Sequence, residues 1–182
     1  MKGLGEIYKA ASAVFGILPG IAILLTNLGV PPDTSKLLFA GVIEALGVLT
    51  LLILWTNKEK ISAISPSHIT QYALWAGGLF LISLFCYLFL SGQYVVPVPF
   101  SNPLLFPIWP RGELMEGLAQ YGSRSALIQN WGADDVRRVI QSSSSASLQL
   151  TSLVFLFNYL VLFISLTFAF GILGIKNSGS VG

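Results

Sequence analysis

The sequence predicts an all-α fold: a polytopic membrane protein with four transmembrane helices and a small helical segment outside the bilayer. Three observations carry this reading. The chain has 182 residues, of which 54% are apolar and 10% charged, whereas soluble domains carry about 25% charged residues. Its mean hydropathy is +0.76. Its charges are also unevenly placed, and from Ile61 to Pro110 there is no Lys, Arg, Asp or Glu at all.

The first predicted span is Ala11 to Val30, about the 20 residues that a helix needs to cross the hydrocarbon core. It lacks a small-x-small cleavage pattern before Pro31 and Pro32, so it reads as a retained span and not as a signal peptide. A short turn, Pro31 to Lys36, forces an antiparallel hairpin into the second span, Leu37 to Trp55. That span is stopped by Asn57, Lys58, Glu59 and Lys60. A polar connection, Asn57 to Tyr72, leads to the third span, Ala73 to about Tyr94, ended by Pro97 and Pro99. The fourth runs from about Leu148 to Ile175. Four such segments leave too little polar chain to cover them in water. The resulting organisation is residues 1–96 for three spans, 97–147 outside the bilayer, and 148–182 for the last span and tail.

Residues 97–147 open with PVPFSNPLLFPIWP. Five prolines forbid a helix there, and Phe100, Phe106 and Trp109 favour headgroup depth, so the stretch reads as a strap on the membrane surface. Three short helical patterns follow, punctuated by Gly122 and Gly132, each placed where a C-cap needs a left-handed residue. Leu114, Met115, Leu118 and Tyr121 share one face of the first. In the third, Asp134 is a capping residue and Val136, Val139 and Ile140 form a stripe. Helices this short are unstable alone, so they pack on each other, on the membrane or on a partner protein. Ser142 to Ser145, with Ser147, reads as a flexible lead into the last span.

Four spans put both termini on one side. That face carries Lys2, Lys9, Lys58, Lys60 and Lys176, against Lys36, Arg111, Arg124, Arg137 and Arg138 on the other. The numbers tie, but the lysines lie nearer to span ends, which favours cytoplasmic termini in the cell membrane and residues 97–147 outside.

The charge excess of +2 is small, and the longest Lys/Arg run is the pair Arg137 and Arg138, which excludes nucleic acid as a partner. The chain contains no HExxH, GxSxG, Walker A, GxGxxG or CxxC, so no enzymatic activity, metal or cofactor is expected. The one histidine, His68, reads as a solvated side chain, and Cys86 as a buried small hydrophobe.

Glu44 is the exception to the apolar pattern. A charge near mid-span costs on the order of 3 kcal/mol on insertion scales. The twelve Leu, Ile, Val and Phe residues between Leu37 and Leu54, at about 0.3–0.6 kcal/mol each near a helix centre, outweigh it. Ala40, Gly41 and Gly47 surround Glu44 at helical spacing, a small-residue face that lets helix backbones approach. Gly16 and Gly20 in the first span, and Ala73 and Gly77 in the third, are further packing or oligomer contacts of this type. Glu44 lies about 10 Å into the core from the loop side, and Tyr87 and Asn158 fall at comparable depth. The three residues therefore form a candidate polar layer. Two readings stay open: an ion or proton path, or a protonated carboxyl acting as packing glue.

The four spans, the compact segment from Trp109-Pro-Arg-Gly-Glu113 to Ile140, and the missing catalytic motifs resemble small four-span membrane effectors of bacterial antiviral defence systems. The resemblance is architectural and assigns no residue. It implies a bundle that assembles and perturbs the membrane on a signal. The expected function is thus a homo-oligomer in the lipid bilayer that conducts ions or perturbs the membrane. The rival expectation is a non-conducting scaffold whose 97–147 loop docks a partner protein through Leu114, Met115, Leu118, Val136, Val139 and Ile140.

Overall fold

The computed structural model describes residues 36–178, with side chains from 45 to 175. The first span, with Gly16 and Gly20, and the turn before Lys36 lie outside the described residues, as do the side chains of Ala40, Gly41 and Glu44. The described chain is mostly helical and divides into two compact units, residues 36–85 with 158–178, and residues 86–157.

The first unit starts with α1, Lys36–Thr56. The helix stops at Asn57, whose side-chain amide donates to the Ile53 carbonyl at 2.9 Å. A short α2, Lys58–Ala63, follows. Next is α3, Pro66–Tyr94, which starts well before Ala73. The polar connection expected over residues 57–72 is therefore largely helical. Hydropathy locates a span, whereas end chemistry locates a helix: Pro66 suits the first helical position, and the Ser65 carbonyl accepts from Ile69 N–H at 3.2 Å. The core of this unit is Leu54, Ile61, Ile69 and Ile172.

In the second unit the strap is not a simple extended run. Strands β1, Val95–Val96, and β2, Leu104–Leu105, pair antiparallel with Val95 opposite Leu105, and Phe106 N–H extends the ribbon to the Tyr94 carbonyl at 2.8 Å. Three helices follow: α4, Glu113–Tyr121, α5, Arg124–Trp131, and α6, Ala133–Ser143. Gly122 and Gly132 adopt φ of 71° and 87°, the positive values that let the chain reverse between helices without a Cβ clash. Ser123 caps α5, its hydroxyl accepting from Ala126 N–H at 3.1 Å. Asp134 does not cap α6. It pairs with Arg137 at 2.9 Å, as Asp135 does with Arg138 at 3.2 Å, and such exposed pairs add little stability.

Leu104, Phe106, Leu114, Leu127, Val136 and Ile140 form one core, with Val96, Leu118, Val139 and Leu148 packed around it. The unit therefore extends beyond 97–147 at both ends. The last helix, α7, is Ser145–Ser178. By length and composition, among the described residues, Pro66–Tyr94 and Ser145–Ile175 are long and apolar enough to cross a membrane. At 1.5 Å per residue, α3 is about 44 Å long and α7 about 51 Å, both longer than the hydrocarbon core of about 30 Å.

Candidate functional site

The residues singled out by sequence separate into three groups. In the first unit, Gly47 of α1 lies against α7: a Cβ there would stand 2.5 Å from Phe163 Cε1. Gly171 of α7 faces back, where a Cβ would stand 2.5 Å from Leu54 Cδ1. Close approach through glycine thus occurs in both directions along this helix pair. Ala73 packs beside the Leu54 core. Gly77, by contrast, has no neighbour within 4 Å of a would-be Cβ, so it mediates no packing among the described residues.

The second group is the expected polar layer. Asn158 donates from Nδ2 to the Ser83 carbonyl at 3.0 Å, a side-chain bond between α7 and α3. Tyr87 is 1% exposed, and its ring meets Phe155 edge-on at 5.6 Å between centroids. The two residues belong to different compact units and each is engaged locally. Glu44 lies on α1, one turn before Gly47.

The third group, the expected partner surface, is not an open stripe in the folded unit. Leu114 and Val136 are 0% exposed and Ile140 2%; Leu118 and Val139 pack on the same core. The three amphipathic helices bury their apolar faces against one another, which leaves only Met115 of the six exposed. Gly117 makes the closure tight, since a Cβ there would stand 2.6 Å from Trp131 Cη2 and 2.9 Å from Leu127 Cδ1.

Sequence reasoning missed how the strap is held. The N–H groups of Ile108, Trp109 and Arg111 donate to Thr151 Oγ1, Ser147 Oγ and Ser144 Oγ, each at 2.9 Å. Ser144 and Thr151 are buried. The serine tract is therefore not a flexible lead: it is helical on either side of a bend at Ser144 and, with Thr151, supplies a ladder of acceptors at helical spacing. The signal was present in positions 144, 147 and 151, which recur every three to four residues on one face.

A second device joins α5 to the end of α3. The Arg124 guanidinium lies 5.0 Å from the Tyr94 ring centroid and 5.7 Å from that of Phe106, and donates to the Gln93 carbonyl. A cation at a helix C-terminus meets the negative end of the helix dipole, and the two rings add cation–π attraction. The Arg124 Nε is buried and has no acceptor among the described residues.

The strap aromatics divide. Phe106 is 0% exposed and belongs to the core, contrary to a place among headgroups. Phe100 is fully exposed and holds a φ of 60°, a left-handed conformation that costs a non-glycine residue about 1–2 kcal/mol. Trp109 is exposed. Of the remaining expectations, Cys86 is exposed and not buried, because it falls on an outward face of α3. His68 accepts or donates at Nδ1 to the Ser65 hydroxyl at 2.9 Å on the exposed start of α3.

No protein-family model, curated protein or solved structure matches this chain. The functional reading rests on the molecule's own chemistry.

Proposed function

We propose that the chain is a four-span integral membrane protein whose helices self-associate into an ion-conducting or membrane-perturbing assembly, in the manner of a membrane effector. The observation that carries the membrane part is the exposed apolar surface of α3 and α7. Leu74, Trp75, Ile82, Phe85 and Phe89 on α3, and Leu153 and Phe157 on α7, are each between 59% and 72% exposed. Apolar side chains of this size, repeated around two long helices, call for lipid or further helices. In the proposal α1 is the second span and residues 11–30 the first. The chain sits in the cell membrane with cytoplasmic termini, and residues 97–147 stand on the other side.

The conducting part is supported by Glu44. It lies in a strongly apolar helix, one turn from Gly47, the position at which α1 approaches α7. Four helices have little room for a central aqueous pore, so the path forms at an axis between copies. Asn158, through the Ser83 carbonyl, and Tyr87, through Phe155, hold the helices that border it. Gly77, open toward its surroundings, offers a small-residue contact to another copy.

The test is ion and proton flux in liposomes for the wild type and Glu44→Gln, with insertion checked for both. Flux that falls in the variant supports the path. A well-inserted wild type that is monomeric at every concentration and passes no ions refutes the assembly.

A second reading, a scaffold whose loop docks a partner protein, is favoured by one observation: residues 86–157 build their own core, as a docking module does. Its contact would use exposed positions such as Met115 and not the buried stripe. Met115→Glu would then abolish capture of the partner with the fold intact.

A further inference from the structure

We propose that the turn 97–103 is a membrane anchor, seating the Phe100 ring together with Trp109 at the boundary between lipid headgroups and acyl chains. The inference rests on the bilayer reading above and adds a lipid-contacting site to it. Phe100 is unfavourable twice within the chain, since its backbone is left-handed and its ring touches nothing that would shield it. Glycine or asparagine would satisfy the same backbone without exposing an aromatic. The return for this arrangement therefore lies outside the molecule.

Four features identify lipid as the occupant. First, β1 begins at the residue after Tyr94, the end of α3, so Phe100 is within about 14 Å of chain from Val96. Second, Trp109 is fixed by its N–H to Ser147, one residue before the apolar run that begins at Leu148. Third, α3 and α7 carry exposed apolar residues near the ends that join the strap, Leu88 and Phe89 on the one and Leu150 and Leu153 on the other, within the same unit. Fourth, residues 97–110 contain no charged side chain, so entry into the interface removes no ion from water. Aromatic rings favour this depth, and the prolines of the turn limit the entropy lost on docking. Phe106, held in the core, takes no part.

The experiment places an environment-sensitive fluorophore on single cysteines of the full-length protein, in a Cys86→Ser background, in phosphatidylcholine and phosphatidylglycerol vesicles. The sites are Phe100→Cys, Leu153→Cys as a reporter of insertion, and Gln129→Cys on exposed α5 as an aqueous reference. The expected result is blue-shifted emission at 100 and 153, with 100 quenched more strongly by shallow than by deep lipid-borne quenchers and 129 quenched by neither. Emission at 100 equal to that at 129, with 153 in lipid, overturns the anchor and leaves the bilayer reading standing. Emission at 100 that is blue-shifted but insensitive to lipid quenchers also overturns it, in favour of a contact with a second copy or another protein. An aqueous signal at 153 overturns the bilayer reading itself.

Discussion

Replacing Thr151 with valine removes one oxygen from the acceptor ladder and almost nothing else. Thr151 is 0% exposed, and its hydroxyl has two roles: it accepts from Ile108 N–H at 2.9 Å and donates to the Ser147 carbonyl at 2.8 Å. Valine keeps the shape. The Ser147 carbonyl loses a second partner but keeps its place in the helix, so the main loss is the orphaned Ile108 N–H. Leaving a buried donor unsatisfied costs about 1–3 kcal/mol, and the half-buried position of Ile108 places the loss in the lower part of that range. The equilibrium for opening the strap should then rise by about 5- to 30-fold, since each 1.4 kcal/mol is tenfold. Thr151→Ser is the control, because it keeps the hydroxyl and gives up one methyl, about 0.8 kcal/mol of transfer at most. Hydrogen exchange at the Ile108 and Trp109 amides in detergent or nanodiscs reads the opening directly. The expected order of exchange is Val fastest, then Ser, then wild type. If the valine variant exchanges no faster than the serine variant, the ladder does not hold the strap and the argument fails.

Two further outcomes follow from the glycine contacts. Gly117→Ala should destabilise the 86–157 unit by about 1–3 kcal/mol through overpacking, although alanine is the better helix former by about 1 kcal/mol, because its Cβ meets the rigid Trp131 ring; an unchanged or raised thermal midpoint would show that the ring yields. Gly47→Val should loosen the α1 and α7 pair, and Phe163→Ala in the same chain should recover part of the loss by vacating the space that the new side chain needs. Thermal unfolding of the single and double variants in one detergent measures that coupling, and strictly additive losses would contradict it.

The apolar character of α3 and α7 was plain in the sequence because lipid-length apolar runs need no tertiary information. Gly122 is equally legible, since it takes the left-handed C-cap conformation expected of it, whereas Gly132 keeps a positive φ of 87° with an extended ψ of 151°. The amphipathic stripe of Leu114, Val136 and Ile140 was visible, but its destination was not: periodicity says that a face is buried and leaves open what buries it. Here the three helices close on each other and on Phe106. Hydropathy marks only the apolar part of α3 from Ala73, whereas the helix itself starts at Pro66, after the Ser65-Pro66 start signal. The serine tract misled for a related reason. Small polar residues signal flexibility by composition, yet at 144, 147 and 151 their hydroxyls serve the amides of a strap more than thirty residues earlier, a non-local pairing that local patterns do not encode. Glu44 remains the residue that sequence alone marks most strongly, and its role belongs to the proposal.

The acceptor ladder also sets an order on biogenesis. The strap amides at Ile108, Trp109 and Arg111 are synthesised 43, 38 and 33 residues ahead of the hydroxyls that receive them. At about 5–20 residues per second, a nascent strap waits roughly 2–9 s with those amides open before Ser144 to Thr151 are made, and longer while they clear the ribosome. The start of the last apolar helix is therefore the piece that completes the 86–157 unit. A ribosome that stalls or terminates before residue 144 therefore leaves a strap without its acceptors.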